Sequence, residues 1–172
     1  MSTSLVSLAS LVNAFNPVTP QLRVAAIIVR NDQILLVEHR KRGQHYWVLP
    51  GGRLEGLETL DAALRRELTE ELSLVARIGQ LVIVSEMLAP DRHVVNLMFH
   101  AEIGEGAEPS LDRADPVLAG WQWVSTDQLP RLDFRPPIAD AVRAVIAERF
   151  SGPVKVLGDT WRSESTASGP RV

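Results

Sequence analysis

A chain of 172 residues and 19.0 kDa is long enough for one domain with modest extensions and short for two. Hydrophobic residues make up 45% and charged residues 23%, an ordinary globular composition, and a chain this long buries roughly 68–70% of its unfolded surface, so its core needs no cross-links. The net charge of −3 excludes the basic excess of a duplex nucleic acid binder, and the lack of cysteine excludes a disulfide framework, a thiol nucleophile and cysteine-ligated zinc or iron–sulfur centres.

The first seventeen residues, MSTSLVSLASLVNAFNP, carry no Lys or Arg and no small-x-small cleavage signal, so neither a secretory nor a transit peptide is expected. The longest apolar run, Val24 to Val29, is far too short for a membrane span; no membrane partner and a cytoplasmic location are expected. Leu5, Leu8, Val12 and Phe15 recur at helical spacing. They suit a short amphipathic helix, packed on its own domain or against a second copy in a homodimer.

Arg23 to Arg30 is short, apolar and β-branched, and reads as a buried strand. Asn31-Asp32 supplies a turn and Ile34 to His39 a second strand, which predicts a hairpin over 23–39. Arg40 to Tyr46 reads as a basic, glycine-containing loop before Trp47-Val-Leu-Pro-Gly-Gly52. A helix is predicted from an N-cap at Thr59 through Leu72, with Leu60, Leu64, Leu68 and Leu72 as its buried stripe. Val75 to Leu88 reads as one long strand with a bulge at Gly79, Ala89 to Arg92 as a turn, and Val94 to Ile103 as the returning strand. An exposed loop over 104–116 precedes a strand at Leu118 to Val124. Pro136-Pro137 then opens a second helix carrying Ile138, Val142, Val145 and Ile146 on one face. The tail from Ser163 reads as disordered. These elements predict an α+β fold, a mixed sheet with helices packed against it.

Chemistry concentrates in Arg66-Glu67-Leu68-Thr69-Glu70-Glu71. Glu67, Glu70 and Glu71 share one helical face at i, i+3 and i+4, where like charges destabilise by a few tenths of a kcal/mol per pair. Arg66 offsets part of that repulsion, and a hard divalent cation, which prefers oxygen ligands, would offset more. Taken alone, the cluster reads more readily as a solvated acidic face than as a metal site.

Its spacing to the preceding glycine loop changes the weighing. The segment resembles the Nudix box, G-x5-E-x7-R-E-U-x-E-E-x-G-U with U a bulky aliphatic residue. Gly52, Glu58, Arg66, Glu67, Leu68, Glu70, Glu71 and Leu74 meet it, and Ser73 departs from the usual glycine. At background frequencies of about 6–7% per position, the six exact Gly, Glu and Arg matches arise by chance on the order of once in 10⁵ chains this long.

The resemblance implies a Nudix domain over 22–150, an extension at 1–21 and a tail at 151–172, with the sheet in an α/β/α sandwich. It implies metal-dependent hydrolysis of a phosphoanhydride bond in a nucleoside diphosphate linked to another group, X. Glu67, Glu70 and Glu71, with the backbone carbonyl of Gly51, would bind Mg²⁺ or Mn²⁺. Arg66 would orient the carboxylates and Glu58 would support the loop. Ser73 falls at the helix C-terminus, where a left-handed conformation would cost a serine about 1 kcal/mol.

The general base is a box glutamate or an acid of the later loop, which offers Glu105, Glu108, Asp112 and Asp115; Asp115, just before Trp121-Gln-Trp123, is the first choice. Arg40, Lys41, Arg42 and Tyr46 are the substrate-side candidates, read equally as solvated loop charges and a core ring. The four histidines show no metal-binding spacing. Pro90 falls sixteen residues after Leu74, an offset that in the family accompanies ADP-ribose-type substrates and that a Pro-Asp turn explains as well. The competing readings are a nucleoside triphosphate or damaged-nucleotide pyrophosphohydrolase, and a Nudix-fold module that senses nucleotides without turnover.

Overall fold

The computed structural model describes residues 18–111 and 115–161. The Leu5–Phe15 stripe, Asp112 and the tail from Ser163 lie outside the described residues.

Strand β1 (Gln21–Arg30) is the centre of the molecule. Val24 to Ile28 are all buried, as its unbroken apolar run requires of a strand covered on both faces. Asn31 and Asp32 both take positive φ, 51° and 62°, the geometry of a tight hairpin turn, and lead into β2 (Gln33–Lys41). The predicted hairpin then opens into a fork. β1 and β2 pair only at Val29 with Ile34 and Arg30 with Gln33. Beyond that point β1 bonds the glycine loop instead, through Val24 N–H to Gly52 O at 2.9 Å and Ala26 N–H to Pro50 O at 2.9 Å. Its other edge runs parallel to β5 (Arg92–Ile103), and β2 takes β6 (Leu118–Ser125) as its antiparallel neighbour.

The segment predicted as a basic loop over Arg40 to Tyr46 is instead a second hairpin. β2 continues to Lys41, Arg42 and Gly43 turn with φ of 52° and 76°, and β3 (Gln44–Val48) returns along β2. A polar, charged strand pair of this kind leaves no hydrophobic alternation for a sequence reading to find. β4 (Ala76–Ala89) pairs antiparallel with β5, its register slipping between Ile78 and Leu81 around the predicted bulge at Gly79. The path of the sheet is β3-β2-β1-β5-β4-β7, with β6 joined to β2. Strand β7 (Lys155–Asp159) lies beyond residue 150 and runs parallel to β4, so the sheet draws in part of the segment read as tail.

One helix covers each face. Helix α1 (Leu60–Leu72) starts where Thr59 Oγ1 accepts the Ala62 N–H at 3.2 Å, the expected cap. It sets Leu64, Leu68 and Leu72 at 0% exposure against Val24, Ala26 and Ile28. Burying each leucine is worth about 1.5–3 kcal/mol. Ser73 ends the helix with φ 53° and ψ 30°, the left-handed conformation, and its N–H bonds Thr69 O at 2.9 Å. A 3₁₀ segment (Thr126–Arg131) leads toward α2 (Ala139–Ala147), which packs Val142 and Val145 on Ala25, Ile27 and Leu36. Helix α2 begins at Ala139, after a non-helical N-cap residue Ile138, rather than at Pro136-Pro137. The result is the predicted mixed sheet sandwiched between helices. Among the described residues no helix is long and apolar enough to cross a membrane.

Candidate active site

The fork between β1 and β2 admits the glycine loop, and the loop brings backbone against α1. Gly51 has φ 136°, and a Cβ there would lie 2.2 Å from Val24 O and 2.8 Å from Ala25 Cα, so no side chain fits. At Gly52 a Cβ would lie 2.2 Å from the Glu67 carboxylate. The paired glycines therefore let the chain pass between a strand and a carboxylate without displacing either.

Arg66 organises the acids. Its Nε and Nη2 grip Glu58 at 3.2 and 2.8 Å, and Nη1 donates to both Glu67 and Glu70 at 3.0 Å. Nη2 also donates to Arg53 O at 3.1 Å, which ties the helix to the loop. Glu58 Oε1 accepts the Glu55 N–H at 2.7 Å, so Glu58 is a strut of the loop, and the Arg66 guanidinium holds its pKa below the ordinary value. Glu71 turns the other way, accepting the Gly51 N–H at 3.0 Å. Burial pushes the Glu71 pKa up to about 7, against the opposing pull of that hydrogen bond, and raises Glu67 as well.

Glu67, Glu70 and Glu71 line an open cleft of about 250 Å³ that Asp115 and Leu118 also line. Asp115 comes from the loop before β6, and its Oδ1 accepts the Val117 N–H at 2.8 Å. Of the other loop acids, Glu108 is drawn away to Arg30 at 2.8 Å. Glu105 is exposed and does not line the cleft. Arg40 lies on β2 opposite His45, and Arg42 stands at the tip of the β2–β3 turn; neither lines the carboxylate cleft. Tyr46 is half-buried on β3 opposite His39, with the Arg135 guanidinium 4.3 Å from its ring centre. Pro90 sits in the β4–β5 turn.

Two residues enter the site that the sequence reading passed over. Arg23 reaches from β1 to donate from Nη2 to Gly51 O at 2.8 Å. A lone cation opening an apolar strand was its only signal. His39, which pairs with Leu118 beside the cleft, buries its Nε2 without a hydrogen-bond partner. Burial and the Arg23 charge push its pKa down to about 4. A wider depression of about 410 Å³ behind α1, near Arg65, Arg77 and Glu102, is lined by charges already paired, Arg65 with Asp61 and Arg77 with Glu102.

Residues 19–145 match the NUDIX domain model, and the chain belongs to that family. It is 28% identical over 144 residues to phosphatase NudJ of Escherichia coli (strain K12), across 81% of this chain and 92% of that one. The fold is similar to the solution structure of the E. coli ORF135 protein, with TM-score 0.65, 25% identity and coverage of 79% and 95%. It is also similar to a MutT NUDIX hydrolase from Burkholderia pseudomallei, with TM-score 0.63, 28% identity and coverage of 74% and 98%. The chain is a Nudix-type hydrolase, and its chemistry is phosphoanhydride hydrolysis of the Nudix type.

Enzymes of this family commonly use a divalent cation. Among the described residues no three ligating side chains converge on a point. The cause is visible: Arg66 draws Glu67 and Glu70 toward itself while the Gly51 N–H draws Glu71. The donor set nonetheless fits a hard ion. It consists of oxygen alone, on one wall of one cleft, and Gly52 leaves the space around Glu67 clear.

Proposed function

We propose that this hydrolase cleaves the phosphoanhydride of a nucleoside diphosphate linked to a group X, with X a sugar as in ADP-ribose or a nucleotide sugar. The observation that carries the cleavage site is that three carboxylates of α1 and Asp115 of the loop before β6 line one cleft. The position of Pro90 supports the choice of X.

Glu67, Glu70 and Glu71, with the Gly51 carbonyl, would hold Mg²⁺ or Mn²⁺. When bound, the ion neutralises the diphosphate and acidifies water, which favours in-line attack at phosphorus. Arg66 keeps Glu67 and Glu70 aimed by hydrogen bonds from one nitrogen, and Glu58 fixes Arg66 to the loop. Asp115 accepts the proton of the attacking water, being the carboxylate of this cleft that comes from outside α1. Arg40 and Arg42 extend the site along the β2–β3 hairpin toward the X-linked phosphate, and Tyr46 offers a ring face there. The enzyme works in the cytoplasm on a small molecule, and a homodimer contact through the Leu5–Phe15 stripe belongs to the same reading.

The test is phosphate release, coupled to phosphatases, over a panel of nucleoside diphosphate derivatives and triphosphates with Mg²⁺ or Mn²⁺. ADP-ribose or a nucleotide sugar is the expected best substrate, and preference for a triphosphate would overturn the choice of X. Glu70→Gln and Glu71→Gln are expected to fold and to lose at least about a hundredfold in rate, the scale of losing a transition-state contact. Wild-type turnover in both variants would sink the metal assignment.

A further inference from the structure

Gly51 O is claimed twice. The proposed reading makes this carbonyl a ligand of the divalent cation, and the structure shows it accepting Arg23 Nη2 at 2.8 Å. Arg23 is well placed to matter to both partners of the reaction. It stands on β1 opposite Arg53 of the glycine loop, where the fork opens, and makes no ion pair within 4.0 Å among the described residues. Its charge nevertheless reaches Glu67, Glu71 and His39, the groups surrounding the cleft.

A carbonyl oxygen has two lone pairs, so it can in principle serve a hydrogen bond and an ion together. Charge argues against that sharing. Mg²⁺ sits about 2.0–2.1 Å from an oxygen ligand, and a guanidinium held by the same atom would lie within a few ångströms of it in a partly desolvated site. Like charges that close repel strongly where water is sparse. A diphosphate relieves the repulsion, because guanidinium groups bind phosphate oxygens in a forked geometry and the phosphate charge screens the two cations from each other.

We propose that the Arg23 guanidinium and the divalent cation compete for the Gly51 carbonyl, so that cation binding turns Arg23 toward the substrate diphosphate. Arg23 thereby becomes a substrate-binding residue whose availability is set by metal loading. The inference rests on the metal reading above and adds a consequence of its own. Removing the charge should strengthen one ligand and weaken the other, a pair of opposite effects that a merely structural arginine does not produce.

Mn²⁺ binding, followed by the electron paramagnetic resonance of free Mn²⁺, tests the first half without turnover. Arg23→Gln removes the charge and, being two bonds shorter, the hydrogen bond to Gly51 O, and should bind Mn²⁺ about fivefold more tightly than wild type in the absence of nucleotide. Arg23→Lys, which keeps the charge, should stay near wild type. At saturating Mn²⁺, α,β-methylene-ADP, a diphosphate analogue without the cleavable bridge oxygen, should bind Arg23→Gln about tenfold more weakly. Unchanged or weaker Mn²⁺ binding in Arg23→Gln, or unchanged affinity for the analogue, overturns the proposal. A wild-type protein that takes up no Mn²⁺ would instead overturn the metal reading beneath it. The side-chain Nε–H resonance of Arg23 in the wild-type protein gives a second readout that no misfolded variant can spoil. It should shift on addition of Mg²⁺ and again on addition of the analogue, and a resonance indifferent to Mg²⁺ overturns the proposal.

Discussion

The helix wall of the cleft and its strand wall hold their charges in different ways. On the helix side every acid has a fixed donor: Arg66 for Glu58, Glu67 and Glu70, and the Gly51 N–H for Glu71. On the strand side Asp115 caps only its own turn and His39, beside the cleft, buries a nitrogen with no partner; outside the cleft, along the β2–β3 hairpin, the side chains of Arg40, Lys41 and Arg42 bond nothing among the described residues. The difference separates two tasks. Acids kept on one wall by fixed donors would meet a divalent cation as a set, turning from those donors to the ion as it binds. Unpartnered cations retain their donors for an incoming anion, which on the proposed function would be the part of the substrate beyond the cleft.

The contrast can be broken first at its backbone. Gly51→Ala places a Cβ 2.2 Å from Val24 O at a φ that L residues rarely adopt, so it should cost about 3–5 kcal/mol. Chemical denaturation reads that loss, and stability near wild type would mean the loop is free to move away from β1. Arg66→Lys is next. One ammonium cannot replace a fork that holds three carboxylates, so kcat/KM should fall about a hundredfold while KM changes little. A loss confined to KM would place Arg66 on the substrate instead of behind the acids.

On the strand wall the effects should be smaller. His39 has a folded pKa of about 4 against an ordinary 6.5, so the unfolded chain takes up the proton first as pH falls. The protein should therefore lose stability between about pH 6.5 and pH 4, by on the order of 1–2 kcal/mol after allowance for solvent around a half-buried ring. His39→Gln should flatten that part of the stability–pH curve, and an unchanged curve would assign the loss to other groups. Arg42→Ala, at a turn tip, should leave stability within about 0.5 kcal/mol and raise KM about threefold. An unchanged KM would return Arg42 to the solvated charges.

The acids of the helix wall were legible in the chain because a helix places i, i+3 and i+4 on one face by local geometry alone. Thr59, the leucine stripe and the glycine pair were legible for the same reason, each acting within a few residues of itself. Ser73 carried its own signal, and the left-handed turn is kept at that position. The β2–β3 hairpin was not legible, since Arg42 in a left-handed turn resembles any other residue of a charged loop. Nor was β7, five residues whose strand character comes from docking beside β4.

By itself, then, the sequence determined the mixed α+β architecture, the position of the carboxylate helix and the family's chemistry, because these depend on spacing along one element and its immediate loop. Only the tertiary structure decided that β1 and β2 part after two residue pairs, that the glycine loop fills the gap, and that Asp115, His39 and Arg23 gather around it. Those meetings join segments far apart in the chain. They are settled by which edges pair and which faces bury, and no local periodicity encodes that choice.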